Sequence, residues 1–185
     1  RGVATSQYKH TEKINKYFGS MEAKDIPELK VETEKPIDKP VIKEVTGLEA
    51  ENITIAYRLP AANTKDAAIL QFMDYLLTNG KAGLIDLNLV KQQKVLKGGS
   101  SSLPLSDYSI FIMYGTPKQG QTLDEVRDLL LGQLDMLKKG EFEDWLLEAV
   151  INNFRLDQYY QQQSSEYAAY LMLNAFINNM DWKDQ

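Results

Sequence analysis

Residues 108–114 constrain the fold more than any other stretch, because they are apolar on both faces of a strand. With a period of two, Tyr108, Ile110, Ile112 and Tyr114 fall on one side, and Phe111 and Met113 on the other. Such a strand belongs in the middle of a sheet, covered on both faces or packed on one face against a partner domain. The stretch before it is the reverse. Gly98, Gly99, Ser100, Ser101 and Ser102 put almost no bulk on a strand spanning 95–103. Glycines there imply a bend, a bulge or a close approach by another backbone.

Two further alternating runs, 41–45 and 52–59, supply more strands, with Gly47-Leu48-Glu49-Ala50 as a hairpin turn between them. In the second, Ile53, Ile55, Tyr57 and Leu59 point one way and Thr54, Ala56 and Arg58 the other; Pro60 ends it. Residues 64–78 switch to helical spacing, carried by Ala68, Phe72, Tyr75 and Leu76. Asn63 or Thr64 caps its start and Asn79-Gly80 stops it. A shorter helix over 84–92 is anchored by Leu84, Leu87 and Leu89.

The last third is helical. Thr122 and Glu125 fit a capping box, ahead of a stripe of Leu123, Val126, Leu130, Leu134 and Leu137. Lys138-Lys139-Gly140 closes that helix, with cations at the negative end of its dipole. Leu146, Leu147, Val150, Ile151 and Phe154 form a second stripe. Beyond a break at 161–165, Tyr170, Leu173, Phe176, Ile177 and Met180 form a third. All three stripes read as core. At the other end, residues 6–18 form a helix with Tyr8, Ile14, Tyr17 and Phe18 on one face, stopped at Gly19. An extended connector rich in Pro, Lys and Glu follows over 20–40, including Pro27, Pro36 and Pro40. The sum is an α+β fold, a mainly antiparallel sheet with helices packed on one face. A chain of 185 residues suits a single domain.

The chemical inventory is short. His10 is the only histidine and there is no cysteine, so a two-histidine zinc site, a histidine-based triad and a thiolate site all lack their residues. His10 reads as a solvated helix-surface residue. Glu141, Glu143, Asp144, Asp124 and Glu125 sit in first helical turns, where anions favour the dipole, and do not pair as general acid and base. The Gly98–Ser102 run lacks the Gly-Lys-Ser/Thr and the helix that a phosphate loop requires. A net charge of −5 offers nucleic acid no electrostatic footing. No apolar run reaches the ~20 residues of a membrane span. Arg1 opens the chain without an initiating Met or a signal-peptide pattern, which reads as a piece of a longer protein.

The ordered set of segments resembles the pitrilysin/insulinase-type zinc metallopeptidases, in a non-catalytic unit like those of the mitochondrial processing peptidase. The carrying residues are EKINKYFG (12–19), ENITIAYRLP (51–60), the 84–96 helix-to-strand passage, and TLDEVRDLLLGQLDMLKKGEFEDWLLEAVINNF (122–154). The resemblance implies a metallohydrolase-like, processing-peptidase-type fold. The family's His-x-x-Glu-His helix is absent. Where some of its domains place a substrate-binding Arg and Tyr, this chain has Val90 and Lys97.

By resemblance, then, the chain is an inactive, C-terminal-type domain. It holds no cofactor of its own, and zinc is expected in a different domain of the parent protein, a metalloendopeptidase. Its partners would be the zinc-bearing catalytic domain of the same polypeptide and, through the assembled chamber, peptide substrates. If the domain faces a peptide, the surfaces expected are the sheet edge at Gly98, Gly99, Ser100, Ser101 and Ser102 and the aromatics Tyr159, Tyr160 and Tyr167, for which core or helix-surface roles are the alternative reading. A bacterial periplasm or cell envelope is favoured over cytoplasm. Two rival readings stay open: a binding or assembly module of the same fold, like the core proteins of respiratory complexes, and an independent enzyme using carboxylates or hydroxyls.

Overall fold

A computed structural model of the protein describes residues 4–27, 30 and 32–181, with the side chains of 4–8 and of Ala68 outside that description. The roles expected for Tyr8 and Ala68 therefore lie outside the described residues. The chain divides into two compact units, Arg1–Thr46 and Gly47–Gln185.

The first unit contains helix α1 (Ala4–Phe18), closed by the amide of Gly19 on the carbonyl of Asn15. Ile14, Tyr17 and Phe18 are all exposed on it. The described residues after it run extended and exposed, as a sequence rich in proline and in charges of both signs dictates. One expectation fails here. Residues 41–45 pair with nothing among the described strands, so the hairpin with 52–59 is not formed. Alternation alone cannot make a strand without an edge to pair with.

The second unit holds β1 (Ile53–Leu59), α2 (Lys65–Leu77), a π-helical turn (Asp86–Val90), β2 (Lys97–Leu103), β3 (Ser109–Thr116), α3 (Leu123–Lys139), α4 (Asp144–Gln162) and α5 (Ser165–Ile177). The three strands form one antiparallel sheet in the order β1-β3-β2, so the doubly apolar strand is indeed central. Ile55 and Ser100 flank Met113, and Tyr57 and Ser102 flank Phe111. These rows face the helices. Phe111 and Met113 are buried together with Leu77, Ile85, Leu89, Val126, Leu130, Leu146 and Val150.

Gly115 belongs to the same face. A Cβ there would stand 2.5 Å from Val126 of α3, so its bareness lets α3 approach the sheet closely. Helix α3 is the best-punctuated element. Thr122 and Glu125 form the reciprocal capping box, and Gly140 ends the helix at φ 69, in the left-handed region.

The segment expected as a regular helix over 84–92 differs. After one α-helical step at Leu84 and Ile85 it widens into the π-turn, where the amide of Lys91 reaches the carbonyl of Asp86. That wider register buries Ile85 and Leu89 along with Leu84 and leaves Leu87 half-exposed.

Candidate functional site

Strand β2 is the segment singled out by its glycines and serines, and its two faces have separate tasks. Gly98, Ser100 and Ser102 face the helices. Lys97, Gly99, Ser101 and Leu103 lie on the opposite face, in register with Thr116, Tyr114, Ile112 and Ile110. Neither glycine makes a bulge or bend. Gly99 is bare because the Tyr114 ring crosses over it from the neighbouring strand. A Cβ at Gly99 would come within 2.6 Å of the Tyr114 hydroxyl oxygen. The close approach expected there thus comes from a side chain instead of a backbone.

The outer edge of β2 is largely taken. The amide of Ser100 donates to Thr78 Oγ1 at 3.0 Å. The hydroxyls follow: Ser100 Oγ donates to Asp74 Oδ1 at 2.5 Å and Ser102 Oγ to Asp74 Oδ2 at 3.3 Å. Burial pushes the Asp74 carboxyl above its ordinary value, against the pull of these hydrogen bonds. Asp74 and Thr78 of α2 therefore stand where an added strand would find its donors. The cluster has no imidazole or thiol to activate a hydroxyl, so it clamps helix to strand and does not form a nucleophile and base.

The sheet's other face is open to solvent among the described residues. Its surface combines Thr54, Ala56 and Arg58 of β1, Ile110, Ile112 and Tyr114 of β3, and Gly99, Ser101 and Leu103 of β2. Arg58 stacks its guanidinium over the Tyr108 ring at 5.0 Å. Tyr114 and Leu103 remain exposed. Small residues flank Ile112 and Tyr114 on both neighbouring strands, and the Tyr114 ring covers the backbone at Gly99.

The remaining expected positions scatter. Val90 is half-buried at the end of the π-turn, while Lys97 starts β2 on the open face. Tyr159 and Tyr160 are exposed on α4 and pack edge-on at 5.9 Å; Tyr167, on α5, is half-buried. His10 is exposed on α1. The donor set does not suit zinc. One histidine and no cysteine stand in the sequence, and no three His, Cys, Asp or Glu gather among the described residues. No helix of the described residues is long and apolar enough to cross a membrane.

Two polar groups that sequence reasoning did not single out organise this part of the fold. Asp86 is buried, and its Oδ2 accepts the amides of Asn79, Gly80 and Gly83 at 2.9, 2.8 and 3.2 Å, tying up the loop before the π-turn. Gln133 of α3 is buried and accepts from Asn88 Nδ2 at 2.8 Å. The Asn79-Gly80 turn signal seven residues ahead of an otherwise lone acid hinted at the first. Nothing in the pattern pointed to the second.

Residues 5–154 match the sequence family described as the peptidase M16 inactive domain. The chain is 25% identical over 134 residues to the zinc protease PqqE of Helicobacter pylori, a match covering 72% of this chain and 30% of that protein. A solved structure of a protease from Helicobacter pylori superposes with a TM-score of 0.75 at 24% identity, over 93% of this chain and 43% of its own. The chain thus spans less than half the length of either relative, and the structural likeness speaks for the fold.

Proposed function

This chain belongs to the peptidase M16 inactive-domain family, and from that premise we propose that it is the non-catalytic structural domain of a pitrilysin-like zinc metallopeptidase. In this reading it packs against a zinc-bearing domain elsewhere in the polypeptide and helps to enclose peptide substrates. The observation that carries the proposal is the family match over 150 of 185 residues in a sequence with a single histidine. Likeness to a protein named as a zinc protease adds support. Residues 1–185 act as one inactive peptidase-like domain of a longer multidomain protein, with 20–40 as its extended connector. A bacterial periplasm or envelope is the proposed compartment.

The peptide-facing segment is Gly98–Ser102, which reaches the open face of the sheet through Ser101, beside Gly99 under the Tyr114 ring. The geometry supports the face over the edge, because the Ser100 amide is already bonded to Thr78 and the Ser100 and Ser102 hydroxyls to Asp74. Gly99 and Ser101 lie on that face beside Tyr114 and Ile112.

Zinc content and chelator-sensitive peptidase activity, measured on the natural polypeptide and on this chain, test the proposal. Zinc and activity are expected in the first and neither in the second. Activity in this chain alone overturns the reading, and a natural polypeptide without zinc or activity supports the assembly-module alternative. Ser101→Arg in the natural polypeptide places bulk on the open face and spares the β2–β3 ladder. Peptide turnover should fall about tenfold if the face contacts substrate, ~1.4 kcal/mol of lost binding. Unchanged turnover with an intact fold removes the face from substrate contact.

A further inference from the structure

Helix α5 is covered on the wrong side. At 100° per residue, its buried side holds Ala175 with the half-buried Leu171 and Ala168, against α4. Its large apolar side chains lie on the other side. Met172, Phe176, Leu173, Ile177 and Tyr170 follow one another over an arc of about 160°. They are exposed to 54%, 83%, 50%, 57% and 57% respectively. Glu166 is the only charged residue of the helix. A helix apolar nearly all round belongs inside a larger core, and an exposed apolar patch of this density marks an interaction surface.

The extent of the patch discriminates among occupants. Aromatic side chains of 150–250 Å² each set the scale, so these five at their exposures offer roughly 600 Å². That is below the ~800 Å² per partner of a standard interface between free molecules. A free second copy would be held weakly by it. A covalently attached unit would not, because attachment supplies an effective concentration in the millimolar range. In the solved Helicobacter pylori protease the matched fold occupies 43% of the chain, so there it is built with more than its own length of additional polypeptide attached. The depletion of charge further asks for an apolar surface on the partner, as in permanently associated interfaces.

We propose that the Tyr170–Ile177 arc of α5 is an intramolecular docking face, covered by an apolar surface of a further folded unit of the same polypeptide beyond these 185 residues. It rests on the reading above that the chain is part of a longer protein. It goes further by naming the surface that is buried and the chemistry of what covers it.

Single cysteines at Phe176 and, separately, at Leu173 provide the test, since the chain has no cysteine of its own. In the natural polypeptide, maleimide labelling at either site is read by peptide mass spectrometry beside a cysteine at the exposed Glu166. Labelling at Phe176 and Leu173 should be slower than at Glu166 by at least about tenfold, at every protein concentration down to nanomolar. Circular dichroism identifies a misfolded variant, and the second site then decides. Equal labelling rates overturn the proposal. So does protection lost on dilution, which assigns the face to a second copy. The same labelling on these 185 residues alone should be as fast at Phe176 and Leu173 as at Glu166, and protection there overturns the proposal by assigning the face to the chain's own Arg1–Thr46 unit. Concentration-independent protection confined to the natural polypeptide, in a protein without peptidase activity, leaves the docking face standing and removes the proposed function instead.

Discussion

Helices α3 and α5 carry apolar stripes of similar prominence and meet opposite fates. In α3, Val126 and Leu130 are fully buried against the sheet, helped by the missing side chain at Gly115. In α5, Tyr170, Leu173, Phe176 and Ile177 point into solvent, and the buried side is lined by alanine. The expectation that all three C-terminal stripes are core therefore holds for α3, holds in part for α4 through Leu146 and Val150, and fails for α5. A stripe states that a helix needs covering. It does not state that the covering lies within the same 185 residues.

The contrast can be broken most forcefully at Leu130. Leu130→Ala should cost about 2–5 kcal/mol in urea unfolding, the range for emptying a closed core site. A cost under 1 kcal/mol would mean α3 is no better packed than α5. Asp86→Ala comes next. It strands the amides of Asn79, Gly80 and Gly83, at about 1–3 kcal/mol for leaving a buried donor unpaired. Loss of hydrogen-exchange protection confined to 79–83 would show that the loop, and not the helix packing, is what the carboxylate holds. Thr122→Ala removes the capping-box acceptor of α3 and should cost about 1 kcal/mol, read as a lowered urea midpoint.

A subtler probe is pH. The folded pKa of Asp74 is raised, so the folded state holds its proton more tightly than the unfolded chain does. Its contribution to stability is complete below the unfolded value of 3.8 and is lost as pH rises through the raised folded value. Asp74→Asn should flatten that decline in a series of urea midpoints. An unchanged slope would place the pH dependence elsewhere. The smallest effect is expected at Phe176→Ala in this chain alone, within about 0.5 kcal/mol, as for an uncovered surface site. A loss comparable to that at Leu130 would erase the distinction between the two helices.

Legibility followed the range of the interactions. The capping box at Thr122, the stop at Gly140 and the alternation of β1 are written within a few neighbouring residues, and each appears where the sequence places it. The central position of β3 was legible for a similar reason, since a strand apolar on both faces has few other places to go. The π-turn was not. Its widened register answers to the burial of Ile85 and Leu89 under the sheet, which no local spacing announces. The strand expected at 41–45 had the alternation but no pairing partner among the described residues.

For the candidate site, the Gly98–Ser102 segment was found by its composition, and its orientation was not. Whether Ser100 offers its amide to a peptide depends on Thr78, more than twenty residues away in the chain. The absence of a two-histidine ligand set was decided by counting residues.

Period, caps and residue inventory, all local or additive, let the sequence determine by itself most of the helices and strands, the α+β class and the lack of a zinc ligand set. Tertiary structure alone decided that Asp74 closes the β2 edge, that Tyr114 fills the space over Gly99, and that α5 turns its apolar arc outward. Those outcomes depend on which distant surfaces meet. Hydrophobic patterning is non-directional and cannot specify that in advance.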